Sequence, residues 1–174
     1  DDFANGYYWL AYEPLNYCTS CKKCNSGLKL NDFPIAGPRG SAPASVADLS
    51  GDWPDSLNET EKPFLIYPIG EIDDDPASLI TFDGVAAVPV KRNGPRHRRA
   101  RVTIAFFELN REDLWRERAE ILVSLDDKLA IISGSFSQSR VDAAKRDIER
   151  LCSRSHPHSS CAQAACRGWI ADRN

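Results

Sequence analysis

Asn16-Tyr-Cys-Thr-Ser-Cys21-Lys-Lys-Cys24-Asn25, followed by Lys29, Asn31 and Phe33-Pro34, is the stretch on which the reading of this chain turns. Two thiols separated by two residues bracket a turn that points both sulfurs the same way, so Cys21 and Cys24 read as two donors of a tetrahedral structural zinc site. Cys18 stands at the same spacing before Cys21 and is a third donor by position, although the working expectation is that it packs inward. A Cys-x-x-Cys-x-x-Cys run also opens iron–sulfur ferredoxins, but those carry a fourth cysteine three residues later, and residue 28 is Leu here. Asn25 is expected to open a short helix over residues 25–31. There its side-chain oxygen either faces a second metal or a phosphate, or caps the helix.

Composition narrows the setting. The chain of 174 residues carries a formal net charge of -3, which argues against broad electrostatic adhesion to nucleic acid but leaves room for local basic patches. It has no methionine and begins with Asp, which leads us to expect a fragment or a processed chain. No apolar run approaches the length of a membrane span and no signal peptide opens the sequence. Three of the six cysteines fall within residues 18–24, so metal ligation in a reducing, cytoplasmic compartment is expected rather than a disulfide framework. Cys152, Cys161 and Cys166 sit among Ala and Leu on helical patterns and read as small buried hydrophobes.

Outward from the cysteine motif, the aromatic run 6–15 reads as a short helix or turn, with Tyr7, Tyr8 and Trp9 as packing residues. Residues 36–62, rich in Gly, Pro, Ser, Ala and Asp, read as an irregular connection. Short strands are expected at 64–67, at 79–82 ending in the Asp83-Gly84 turn, at 85–90 and, most strongly, at 102–107. Between the last two lies a basic segment from Lys91 to Arg101. It is expected to be an exposed loop joining antiparallel strands, in which Arg96, Arg98 and Arg99 either contact phosphates or keep a sheet edge soluble. The remainder reads as helices. Asn110 is the expected cap of one bearing Leu114, Arg118, Ile121, Leu122 and Leu125 on a face, Ser139 caps a second with Val141, Ala144, Ile148, Leu151 and Cys152, and Ser159 or Ser160 starts a third through Trp169 and Ile170. The fold class is therefore α+β, with strands first and helices after.

The chain resembles the HNH endonuclease proteins found beside ATPases in prokaryotic defence and retron-like loci. The matching features are Tyr7-Tyr8-Trp9-Leu10-Ala11-Tyr12, Asn16, Cys21-x-x-Cys24-Asn25, Lys29 and Phe33-Pro34, then Glu61-Lys-Pro-Phe-Leu-Ile-Tyr-Pro68, Asp75-Pro76, Thr103-Ile104, Leu109-Asn110-Arg111, Leu114 and Trp169-Ile170. The resemblance implies that residues 1–40 are the C-terminal half of a ββα-metal module and residues 41–174 an α+β extension, which positions DNA or docks a partner ATPase. It implies that Cys21 and Cys24 hold structural Zn²⁺, that Asn25 is a ligand of a catalytic Mg²⁺ or Mn²⁺, that Asn16 orders the loop between two strands, and that Lys29 lies near phosphate. The catalytic histidine and the rest of the zinc site are expected to precede residue 1, because His97, His156 and His158 lie far along the chain. The chain alone is then expected to be inactive, and the intact protein to hydrolyse DNA. The rival reading, from a different class, is a non-catalytic zinc-binding module for nucleic acid or protein.

Overall fold

In the computed structural model the chain divides into two compact units, Asp1–Pro76 and Ala77–Asn174. Residues 7–11, 14, 17–40, 55–67 and 72–173 are described, with the side chains of Tyr8 and Asp55 excepted. The fold is α+β: helices accompany a two-stranded antiparallel sheet.

In the first unit a 3₁₀ turn (Tyr8–Leu10) leads to a π-helix (Lys23–Lys29) and then to a short helix α1 (Asp55–Glu61). Helix α1 lies inside the stretch expected to be irregular. Its last carbonyl, on Glu61, accepts the amides of Ala36 at 3.1 Å and Gly37 at 2.8 Å. Gly37 is required there, because a Cβ would stand 2.0 Å from the Thr60 carbonyl oxygen. The strand expected at 64–67 does not form. Only Pro63 makes a bridge, to Ile35, and the chain then bends. Pro63 has no N–H to donate to a ladder, which limits the pairing. Leu65 and Ile66 are nonetheless buried, with Leu10, so the apolar run supplies core without a sheet.

Helix α2 (Pro76–Leu79), which lies in the second unit from Ala77 onward, runs directly into β1 (Ile80–Asp83). The Asp83-Gly84 signal makes the expected turn: β1 pairs antiparallel with β2 (Ala86–Pro89), Asp83 opposite Ala86 and Ile80 opposite Pro89. Gly84, at φ +54°, is the first residue of the two-residue loop, a left-handed conformation that favours glycine.

The segment after β2 departs from expectation. Residues 91–101 are not a loop between strands and 102–107 is not a strand; together they form helix α3 (Gly94–Phe106). Asn93 in extended conformation and Pro95 in the first turn start it. Ala100 and Thr103 face inward, a helical rather than an alternating spacing, and α3 packs on β2. Helical burial on that strand outweighs the β propensity of Val102, Ile104, Phe106 and Phe107.

Three helices complete the unit. In α4 (Glu112–Ser133), Arg118, Leu125 and Leu129 are buried. In α5 (Gln138–Leu151), Ala144 and Leu151 are buried, and in α6 (Ser159–Ala171), Cys161 and Ala162. The α5 cap position belongs to Ser137, two residues before the expected Ser139. Leu125, Leu129, Leu151 and Ala162 form the core, with Ile121, Leu122, Ile148 and Trp169 packed around it. Asn110 does not cap α4; the cap position is Arg111. The Asn110 amide instead satisfies both backbone groups of Ala87, accepting its N–H at 2.7 Å and donating to its carbonyl at 3.0 Å. It thus stands where a neighbouring strand would.

Arg118 is 3% exposed, and its Nη1 donates to the Val85 carbonyl at 2.9 Å while its guanidinium lies 4.9 Å from the Phe82 ring centroid. Arg118→Ala removes the stem packing and orphans a hairpin carbonyl, and is expected to cost about 2–4 kcal/mol in chemical denaturation. Arg118→Met keeps the stem against Phe82 and is expected to recover roughly half of that loss.

Candidate functional site

The cysteine motif lies on the first unit. Cys18 and Cys21 are exposed and Cys24 is half-buried, so the expectation that Cys18 packs inward is not met. Cys18 does lie close enough to Tyr67 to act on it electrostatically: burial first, and then the Cys18 thiol, push the phenol above its ordinary pKa. The Tyr67 hydroxyl donates to the Tyr17 carbonyl at 3.1 Å, which ties the start of the motif to the segment after α1.

The turn between Cys21 and Cys24 has a defined form. The Cys24 amide donates to Cys21 Sγ at 3.3 Å, and the Asn25 amide donates to the Cys21 carbonyl at 3.0 Å. An amide aimed at a sulfur stabilises the thiolate over the thiol, and the thiolate is the form that ligates metal. Among the described residues no group of three or more His, Cys, Asp or Glu converges as a metal site. The two thiols on this turn fit part of a zinc donor set.

Helix geometry corrects the expected place of Asn25. The helix begins at Lys23 with Lys22 at its cap position, so Asn25 lies inside the first turn and is not its cap. The winding is that of a π-helix, with the Leu30 amide on the Asn25 carbonyl at 2.8 Å, five residues back. Leu30, at φ +45°, ends it. Such wide turns are rare and are frequent at functional sites. The Asn25 side chain is exposed. Lys29, four residues on, is half-buried, with its ammonium 6.0 Å from the Phe33 ring centroid. Asn16 lies outside the described residues.

The basic residues belong to the second unit. Arg96 is exposed and its Nη2 donates to Ser78 Oγ at 2.8 Å; Arg98 and Arg101 are exposed, and Arg99 is half-buried. They occupy the first turns of α3, which has no acidic residue in its first turn. Cations at that end oppose the helix dipole and cost helix stability, whereas the same end attracts anions.

Sequence reading missed the group that organises the first unit. Glu61 is 3% exposed; its Oε2 accepts the Tyr7 hydroxyl at 2.7 Å and its Oε1 accepts the Gly40 amide at 2.6 Å. Arg39 stacks 5.0 Å from the Tyr7 ring centroid, and Tyr7 meets Phe33 edge-on at 6.0 Å. Burial, with the Glu61 carboxylate beside it, holds the Tyr7 phenol protonated well above the usual range. Tyr7 and Glu61 each begin a stretch that carries the family resemblance, but nothing in residue types 54 positions apart joins them.

Septu protein PtuB of Bacillus mycoides (strain KBAB4) is 29% identical to this chain over 136 residues, which cover 78% of the chain and 41% of that protein. The chain thus spans about two fifths of the length of that curated relative. No family model matches the sequence, and no solved structure matches it.

The Cys24 amide donates to a sulfur. Cys21→Ala is expected to raise its hydrogen-exchange rate roughly five- to tenfold, an opening worth about 1 kcal/mol, while the Gly37 and Gly40 amides on Glu61 keep theirs.

Proposed function

We propose that the chain carries the zinc-anchored, metal-ligating half of an HNH-type DNA endonuclease that acts in phage defence. The observation that carries this reading is the Cys21–Cys24 turn, with an amide on the first sulfur, leading without a break into a helix that exposes Asn25. The similarity to a Septu protein supports the defence setting.

In this reading Cys21 and Cys24 would hold two corners of a structural Zn²⁺ tetrahedron. The Asn25 side-chain oxygen would be a ligand of a catalytic Mg²⁺ or Mn²⁺, its direction fixed by the thiol turn one residue before it. The cation, when bound, polarises a phosphodiester and stabilises the leaving oxygen. Lys29, one turn beyond Asn25, would pair with a phosphate oxygen, and Asn16 would order the loop that faces the site. On the second unit, Arg96, Arg98 and Arg99 would contact the DNA backbone at the N-terminal end of α3, where the helix dipole adds to their charge. The same helix, or the exposed faces behind it, would dock a partner ATPase.

A second reading, a non-catalytic zinc-binding module, is favoured by one fact. All three histidines of this sequence, His97, His156 and His158, fall in the second unit, so residues 1–76 carry no imidazole to act as general base. Loss of a general base typically lowers a rate ~100- to 10,000-fold.

Supercoiled plasmid with Mg²⁺ or Mn²⁺ separates the two. The full-length protein is expected to nick or linearise it, and Asn25→Ala to cut at least ~100-fold more slowly with zinc still bound by elemental analysis. Cys21→Ser or Cys24→Ser is expected to lose the zinc. Undiminished cleavage by Asn25→Ala would remove Asn25 from the site, and zinc binding without cleavage would leave the module reading.

Charge reversal at Arg96, Arg98 and Arg99 tests the DNA contact. Taking one cation off the phosphate backbone is expected to lower the slope of log affinity against log salt by about 1. An unchanged slope would return these residues to a purely solvating role.

A further inference from the structure

The second unit holds a pair of thiols that the proposed nuclease does not use. Cys152 follows α5 at its C-cap position, with its amide on the Ile148 carbonyl at 2.9 Å. Cys166 lies on α6. Their sulfurs are 3.7 Å apart, in contact, and both residues are half-buried against the Leu125, Leu129, Leu151 and Ala162 cluster. The Gln163 amide donates to the Cys152 carbonyl at 2.7 Å, so the same two segments are also tied beside the sulfurs. The third thiol of this unit does not compete. Cys161 is fully buried and donates to the Gly84 carbonyl at 3.4 Å.

We propose that Cys152 and Cys166 form an oxidative modification site, at which a peroxide converts the dithiol into an intrachain disulfide joining the end of α5 to α6. One sulfur, as thiolate, attacks a peroxide oxygen; the O–O bond breaks, hydroxide leaves and takes up a proton as water, and a sulfenic acid remains. The second sulfur, losing its proton, attacks the first; the S–O bond breaks and a second water leaves. Two thiols and one hydrogen peroxide give one disulfide and two waters, with two electrons passing from sulfur to oxygen.

The sulfurs must close from 3.7 Å to about 2 Å. Cys152 stands where α5 gives way to the turns of residues 153–158, so it can move without unwinding a helix. Burial, together with the neighbouring Cys152 thiol, pushes the Cys166 thiol up to about 11, against the pull of Arg167. A protonated dithiol is slow to react, so the pair stays reduced until oxidant accumulates.

The test treats the folded chain with hydrogen peroxide raised stepwise above equimolar, so that the exposed Cys18 and Cys21 do not consume it all, alkylates the remaining thiols, and digests with trypsin. Cleavage after Arg150, Arg154 and Arg167 leaves Cys152 in residues 151–154 and both Cys161 and Cys166 in residues 155–167. The expected product is these two peptides linked, about 2 Da lighter than the reduced pair, with fragmentation placing the bond at Cys166. Cys161→Ala should retain the link and Cys166→Ser should lose it. A chain oxidised in urea should scatter its pairings among all six cysteines. The linked chain should melt at least about 5 °C above the reduced one, and a thiol reductant should reverse the gain. Absence of the link in the folded chain, a bond at Cys161, sulfinic acid on unpaired sulfurs, or a lower melting temperature would each overturn the proposal.

Discussion

The second unit depends on holding a hairpin that has, among the described residues, no third strand. Such a hairpin is marginal in water, because its outer backbone groups and loop carbonyls lack partners. Three side chains supply them. Asn110 takes both outer groups of Ala87, the buried Arg118 donates to the Val85 carbonyl, and the Cys161 thiol donates to the Gly84 carbonyl. Two of these come from α4 and α6 and the third from the turn before α4, so the helices complete the sheet as well as cover it. Arg118 is the costly member. Burial lowers its pKa against the pull of Cys161, Glu117 and Asp113, and among the described residues its Nε–H has no partner. It persists because Phe82 offers a ring face and Val85 a carbonyl in a place that water does not reach.

The first unit solves a similar problem with the opposite charge. Among its described residues the helices are short, and its loops converge on the buried Glu61 carboxylate. Glu61 collects the Tyr7 hydroxyl and the Gly40 amide through its side chain, and the Ala36 and Gly37 amides through its carbonyl. The segments before and after the thiol turn thus share one anchor. Tyr7 and Phe33, which touch edge-on, belong to those segments, and Lys29 lies over Phe33. The support for the helix bearing Asn25 accordingly comes from an aromatic layer and a carboxylate, not from a sheet.

What was legible in the sequence is what depends on neighbours along the chain. Asp83-Gly84 placed the hairpin, and the apolar spacing of Leu114 to Leu125, of Val141 to Leu151, and of Cys161 to Trp169 placed three helices. The failures share a cause. Val102 to Phe107 is rich in β-branched and aromatic residues, which strands prefer, yet a helix forms because β2 offers a face for Ala100 and Thr103. Asn110 looked like a cap because caps are local, but it serves a strand 23 residues away. Glu61 reaches 54 residues back to Tyr7. Of the candidate site, the thiol turn was legible from its spacing, whereas the place of Asn25 was not, since nothing in the residue types announced a helix starting at Lys23 with five-residue winding.

The six cysteines show how one residue type is divided by environment. Cys21 accepts an amide at its sulfur and is exposed to solvent. Cys161 is sealed among α6, β1 and Arg118, where burial raises its pKa against the pull of the guanidinium, and it acts as a hydrogen-bond donor. Cys152 and Cys166 stand between these limits, half-buried and in contact with each other. The chemistry open to each follows from solvent access and from the nearest polar group. A count of cysteines and their spacing carries neither, which is why the pair on α5 and α6 read from the sequence as ordinary core.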